Sequence, residues 1–171
     1  MAKKLNSMRA LDADGIAYDV LHFPDTIHSA QAVAEHFGLP VAQVYKTLVL
    51  LTSKRTPLLI MAPADRELCL KSLAQHFGDK KLRMATHNEA EKLTGLKVGG
   101  ISALALRHRN FPVYMMQTAT AWDTIVVSAG QRGVNLRLAV ADIVRATGAA
   151  FVDAPMDPAP PPAQKPMRST V

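Results

Sequence analysis

Val44-Tyr45-Lys46-Thr47-Leu48-Val49-Leu50-Leu51 is the stretch on which the fold turns. It is apolar or β-branched at every position except Lys46. That pattern predicts a central strand covered on both faces. Thr52-Ser53-Lys54-Arg55-Thr56-Pro57 follows as a turn, and Leu58–Met61 as the strand that pairs back. Leu82–Met84, Val113–Met116 and Thr124–Ser128 are further candidate strands. Helical spacing lies between them. Leu5, Met8 and Leu11 recur before a stop at Gly15, and Ser29 caps a helix whose Ala30, Val33, Ala34 and Phe37 share a face. Gly38 and Pro40 end that helix. A third is expected from about Asp65 to Phe77, a short one from Asn88, and a last from about Leu136 to Thr147. His-Phe-Gly at 36–38 and again at 76–78 reads as two similar helix ends without a repeat around them. The fold class is α/β (α+β), a mixed β-sheet packed with helices.

The chain of 171 residues is 49% hydrophobic and 20% charged, which excludes a wholly disordered protein. No apolar run approaches a membrane span, and no long apolar run follows Met1-Ala2-Lys3-Lys4, so the cytoplasm is the expected location. One cysteine, Cys69, excludes an internal disulfide and a multi-cysteine zinc site; it is expected inside the helix from Asp65. Six prolines fall within 155–171, so residues 1–154 are read as one domain and 155–171 as a flexible, proline-rich tail. Twenty Lys and Arg against 14 Asp and Glu leave a net charge of +6, which favours polyanions. Lys80-Lys81-Leu82-Arg83 and Arg107-His108-Arg109 are basic clusters suited to a phosphate backbone. Aromatic residues are 5%, so no base-stacking platform is expected.

Three segments carry candidate chemistry. Lys46 interrupts an apolar strand; its ammonium must reach water, a partner or a ligand anion. Lys97-Val98-Gly99-Gly100-Ile101-Ser102 pairs two glycines, which either close a tight turn or bring backbone amides against a ligand. Val127-Ser128-Ala129-Gly130-Gln131-Arg132-Gly133 ends a strand in a polar turn, where Arg132 meets either solvent or a phosphate. The six histidines show no metal-ligand spacing, and no glycine-rich nucleotide loop is present.

Together these three segments, in this order and separation, resemble the YbaK/ProX family of aminoacyl-tRNA deacylases. These are free-standing relatives of the editing domain inserted in bacterial prolyl-tRNA synthetases. The resemblance spans about 5–153 and includes Gly15-Ile16-Ala17-Tyr18 and Thr94-Gly95-Leu96-Lys97. It implies a YbaK-like mixed-sheet domain that hydrolyses the ester between a wrong amino acid and the tRNA 3′-adenosine, without metal or cofactor. The family's essential lysine maps onto Lys46. Its glycine loop maps onto Gly99, Gly100, Ile101 and Ser102, whose amides are expected to face the scissile carbonyl. Phe23, His28, Thr47 and Ser128 are expected to line the amino-acid pocket, with Arg132 as a further substrate contact. Many members carry proline where this chain has Ala103. The implied partners are the aminoacyl-tRNA acceptor end and prolyl-tRNA synthetase. The amino acid removed is left open among cysteine, alanine and other small residues. A non-catalytic tRNA- or synthetase-binding module and a simple ester hydrolase are the competing readings.

Overall fold

The computed structural model describes residues 3–160. Its elements, in chain order, begin with α1 (Asn6–Ala13), β1 (Asp19–His22), α2 (Ala30–Phe37), β2 (Tyr45–Leu51) and β3 (Pro57–Pro63). There follow β4 (Arg66–Leu68), α3 (Leu70–Phe77), β5 (Arg83–Met84), α4 (His87–Thr94) and β6 (Val113–Met116). The chain then forms β7 (Thr124–Gln131), β8 (Val134–Ala139), α5 (Val140–Thr147), β9 (Ala150–Val152) and β10 (Met156–Pro158). Five strands make a mixed sheet in the order β5-β2-β3-β6-β9. β2 runs antiparallel to β3 and β5, whereas β3, β6 and β9 are parallel. A second sheet has the order β1-β8-β7, and β10 pairs with β4.

Strand alternation places successive side chains of β2 on opposite faces. Tyr45 and Val49 enter the larger core with Leu59, Ile125 and Leu136, while Leu50 joins Ile60 and Leu73 beneath α3. Each leucine so buried contributes about 2 kcal/mol of transfer free energy. A third cluster seats α2, through Val33 and Ala34, on Val44, Ala64 and Val126. The two His-Phe-Gly segments do end helices: Gly38 and Gly78 are both left-handed C-caps with φ of 64°. Ser29 accepts the amide of Ala32 at 3.1 Å as the expected N-cap of α2.

Four expectations need correction. The helix from Asp65 begins only at Leu70, because Arg66–Leu68 pairs with Met156–Pro158; Cys69 is the N-cap. The helix from Leu136 begins only at Val140, because Val134, Leu136 and Leu138 alternate inward as β8. The strand ending at Ser128 continues through a register shift to Gln131. The stretch read as tail starts with a paired strand, β10, and 161–171 lies outside the described residues.

Candidate active site

β2 has a gap along its outer edge. Val44 bridges to Val126, and Leu50 pairs with Met84, but between them Lys46–Leu48 meets no strand. Ala64 donates its amide to the Val44 carbonyl at 2.8 Å, which sets the phase of the β2–β3 ladder. Alternation then turns the backbone N–H and C=O of Thr47 away from β3 and into the gap. A cavity of about 500 Å³ occupies this place. Because it opens at a strand edge, it touches Lys46 and Thr47 alike, although their side chains leave opposite faces.

Most of the expected residues converge here. Phe23 and His28 come from the segment between β1 and α2, Gly99 and Ile101 from the loop after α4, and Ser128 from β7. Burial pushes the Lys46 ammonium below the ordinary lysine range, and the charge of Glu67 opposes that shift. Lys46 forms no ion pair with a described residue, so its charge is available to an incoming anion. Thr47 Oγ1 is buried and has no hydrogen-bond partner among the described residues. Such an orphan costs about 1–3 kcal/mol, a cost a bound ligand relieves.

The glycine loop divides its work. The Gly100 amide donates to the Lys97 carbonyl at 2.8 Å and closes a turn whose third residue, Gly99, has φ of 92°. That amide is therefore occupied within the loop. The amides of Gly99 and Ile101 donate to no described residue. Gly100, Ser102 and Arg132 do not line the cavity. Gly100 lies against the β7–β8 turn, where a Cβ would come within 2.9 Å of the Arg132 nitrogen. Ser102 is buried and its Oγ accepts the Ala105 amide at 3.3 Å. Arg132 Nε donates to the Val98 carbonyl at 2.8 Å and ties the hairpin to the loop. These three hold the loop in shape.

The sequence reading missed several lining residues. Asn135 is 7% exposed, sits opposite Ser128 in the β7–β8 register, and borders the cavity. Its signal was a polar residue between Val134 and Leu136, hidden by the helix expected there. Gln31, Glu67 and His87 also contribute, as do Ala159 and Pro160 from beyond β10. Gln31 Nε2 donates to the carbonyls of Ala64 and Pro160, so the segment just after β10 forms part of the wall. Of the basic clusters, Arg83 is held by Glu89 in a bidentate pair at 2.7 and 2.8 Å, and Arg107 by Asp14 at 2.6 Å. Among the described residues no three His, Cys, Asp or Glu side chains converge as a metal site requires, and no helix is long and apolar enough to cross a membrane.

Residues 24–146 match the model of the aminoacyl-tRNA editing domain. A relative in Enterococcus faecalis, named "Putative Cys-tRNA(Pro)/Cys-tRNA(Cys) deacylase EbsC", is 33% identical over 153 residues, covering 88% of this chain and 93% of the relative. A proline–tRNA ligase of Sulfurihydrogenibium sp. is 30% identical over 112 residues, which are 66% of this chain and 19% of the ligase. A crystal structure described as "a putative trans-editing enzyme for prolyl tRNA synthetase" superposes with a TM-score of 0.77 at 24% identity, covering 90% of this chain and 98% of that one. At that identity the superposition speaks for the fold.

Proposed function

Because the chain belongs to the aminoacyl-tRNA editing domain family, we propose that it hydrolyses the ester joining a wrong, small amino acid to the 3′-adenosine of tRNA. Cysteine on tRNA(Pro) is the favoured substrate, after the name of the Enterococcus relative. A synthetase pocket separates side chains differing by one methylene by only about 1–3 kcal/mol, so small mistakes pass it and a second pocket must remove them.

The observation that carries the reading is the convergence on one cavity of an unpaired Lys46 amine, an orphan Thr47 hydroxyl and the open amides of Gly99 and Ile101. Lys46 holds an anionic part of the tRNA end, and an approaching phosphate favours the ammonium form against the desolvation that opposes it. The Gly99 and Ile101 amides receive the carbonyl oxygen as it gains charge. Water adds to the carbonyl carbon, the tetrahedral intermediate collapses, and the ribose oxygen leaves with a proton. The products are the free amino acid and tRNA with its 3′ end restored. With cysteine as substrate, the thiol can instead attack its own carbonyl: the C–O ester bond breaks and the ribose oxygen leaves with the thiol proton. Water then opens the cyclic thioester to free cysteine, so that the protein acts by positioning. Phe23, His28 and Ser128 bound the space for the side chain. Prolyl-tRNA synthetase is the partner that delivers the substrate.

Cysteinyl-tRNA(Pro), alanyl-tRNA(Pro) and an amino-acid ethyl ester are incubated with the protein and with Lys46→Ala. The reading expects ester loss from a mischarged tRNA and a fall of about 100-fold in the variant, the size of a lost positioning contact. Equal rates for the two proteins overturn it. Tight tRNA binding without ester loss establishes the binding module, and turnover of the ethyl ester alone establishes the simple hydrolase.

A further inference from the structure

We propose that a second concavity, separate from the first, binds the phosphate backbone of the RNA strand whose 3′ end occupies the active site. The proposal rests on the deacylase reading and adds a docking site to it. The concavity measures about 390 Å³ and lies between the start of α1, the C-terminal end of α4, the turn at Ala105–Arg109 and the end of β7. Lys3, Lys4, Arg9, His108 and Arg109 line it, and no carboxylate does.

Two of these cations are fixed without being neutralised. Arg9 donates to the side-chain oxygen of Asn6 at 2.8 Å, and Arg109 donates to the Leu93 carbonyl at 3.2 Å. Gly95 makes room for the second of these, since a Cβ there would stand 3.0 Å from Arg109 Nη2. Held guanidinium groups with free N–H donors suit phosphate oxygens. Arg107, two residues away, shows the contrast: Asp14 neutralises it at 2.6 Å, and it does not line the concavity. Lys4 is likewise paired, with Asp12. The uncompensated charge is therefore that of Lys3, Arg9 and Arg109.

The position fits a continuous strand. Ser128 borders the first cavity, and Ala129, Gly130 and Gln131 border the second. Two residues of β-strand span about 7 Å, so a few nucleotides bridge the two sites. The loop after α4 borders both, through Gly99 and Ile101 on one side and Leu96, Ala105 and Leu106 on the other. No Phe, Tyr or Trp lines the second site, so it grips phosphates without stacking bases or reading sequence.

The test compares Lys3→Gln/Arg9→Gln with Lys54→Gln/Arg55→Gln, which removes the same charge from the exposed β2–β3 turn, outside both cavities. A third variant adds Arg109→Gln to the first pair, with its melting temperature recorded because Arg109 also caps α4. Affinity for uncharged tRNA(Pro) is measured against salt concentration, alongside deacylation of charged tRNA. The first variant is expected to bind about tenfold more weakly, with a log–log salt slope smaller by about 1–2. The Lys54/Arg55 control is expected to stay within about threefold. Equal losses in the two pairs, an unchanged slope, or a parent protein that binds no tRNA overturns the docking site. A parent that binds tRNA through these residues yet releases no amino acid supports the docking site and overturns the deacylase reading instead.

Discussion

The two concavities handle charge in opposite ways. The first holds one lysine, half-buried, with its amine depressed by desolvation and the charge of Glu67 opposing that shift. The second gathers several cations at its surface, with no acidic residue among them. A charge partly withdrawn from water acts strongly on a group placed against it and is little screened by salt, so a ligand must meet it in the right geometry. Exposed charges act additively and weaken with salt, so they supply affinity without choosing. On the proposed function, the first cavity governs rate and the second retention.

The largest expected effect breaks that division if it is wrong. Lys46→Ala should lower the single-turnover deacylation rate about 100-fold while leaving the affinity for uncharged tRNA within about threefold. Lys3→Gln/Arg9→Gln should do the reverse. Two variants that alter rate and affinity together would merge the cavities into one function.

Next in size is Gly100→Ala. The added Cβ meets the backbone of Arg132 at 2.9 Å and of Gln131 at 3.0 Å, neither of which can swing aside. The hairpin and loop must separate, at about 1–3 kcal/mol of stability. Because Gly99 and Ile101 sit on that loop, kcat should fall about tenfold, the size of a partly misplaced oxyanion donor. A variant with lowered melting temperature and unchanged kcat removes the loop amides from the mechanism.

Thr47→Val sharpens the comparison from the other side, because its two effects have opposite signs. The variant deletes the hydroxyl that lacks a partner, so the free protein should gain about 1 kcal/mol in denaturant unfolding. If that hydroxyl is held for the substrate, KM should rise about fivefold, the equivalent of one hydrogen bond. A stability gain with no change in KM makes Thr47 a packing residue.

What the sequence revealed and what it hid follow one physical rule. Lys46 was legible because a charge within an apolar strand demands an explanation wherever the strand lies. The glycine pair was legible because missing side chains constrain the backbone locally, although the split between Gly99, lining the cavity, and Gly100, against the hairpin, depends on Arg132, far along the chain. Asn135, Glu67 and Gln31 were hidden because pairing across the sheets and helix docking, not local spacing, bring them to the cavity. Leu136 could be read two ways: Val140 and Ile143 continue it at helical spacing, whereas Val134 and Leu138 flank it at strand spacing. Pairing with β1 and β7 decided for the strand. β4 and β10, three residues each, are too short to leave a periodic signal.

The smallest predicted effect concerns α4, which joins the two sites. Its first turn places His87 and Ala90 on the active-site cavity, and its last residues, Thr94 and Gly95, border the second concavity. Eight residues of helix span about 12 Å, so movement at one end is felt at the other. Arg109 ties the far end through the Leu93 carbonyl, while Glu89 ties the near end. Glu89 accepts the Thr86 amide in a capping box and both guanidinium nitrogens of Arg83. The Arg83 hydrogen bonds, followed by that of the Thr86 amide, lower its carboxyl from 4.5 to about 2. Its contribution is therefore present above pH 4.5 and is lost as pH falls from there to about 2. The protection factors of the α4 amides, exchange rates taken relative to the intrinsic rate at each pH, should fall over that interval, and Glu89→Gln should show the lower protection already at neutral pH, with a flatter acid response. Because the brace is solvent-exposed, the change should stay within the first turn and leave tRNA affinity at the second site unaltered. Exchange that rises equally at both ends of α4 would mean that the helix moves as one body, and that the two sites are coupled through it.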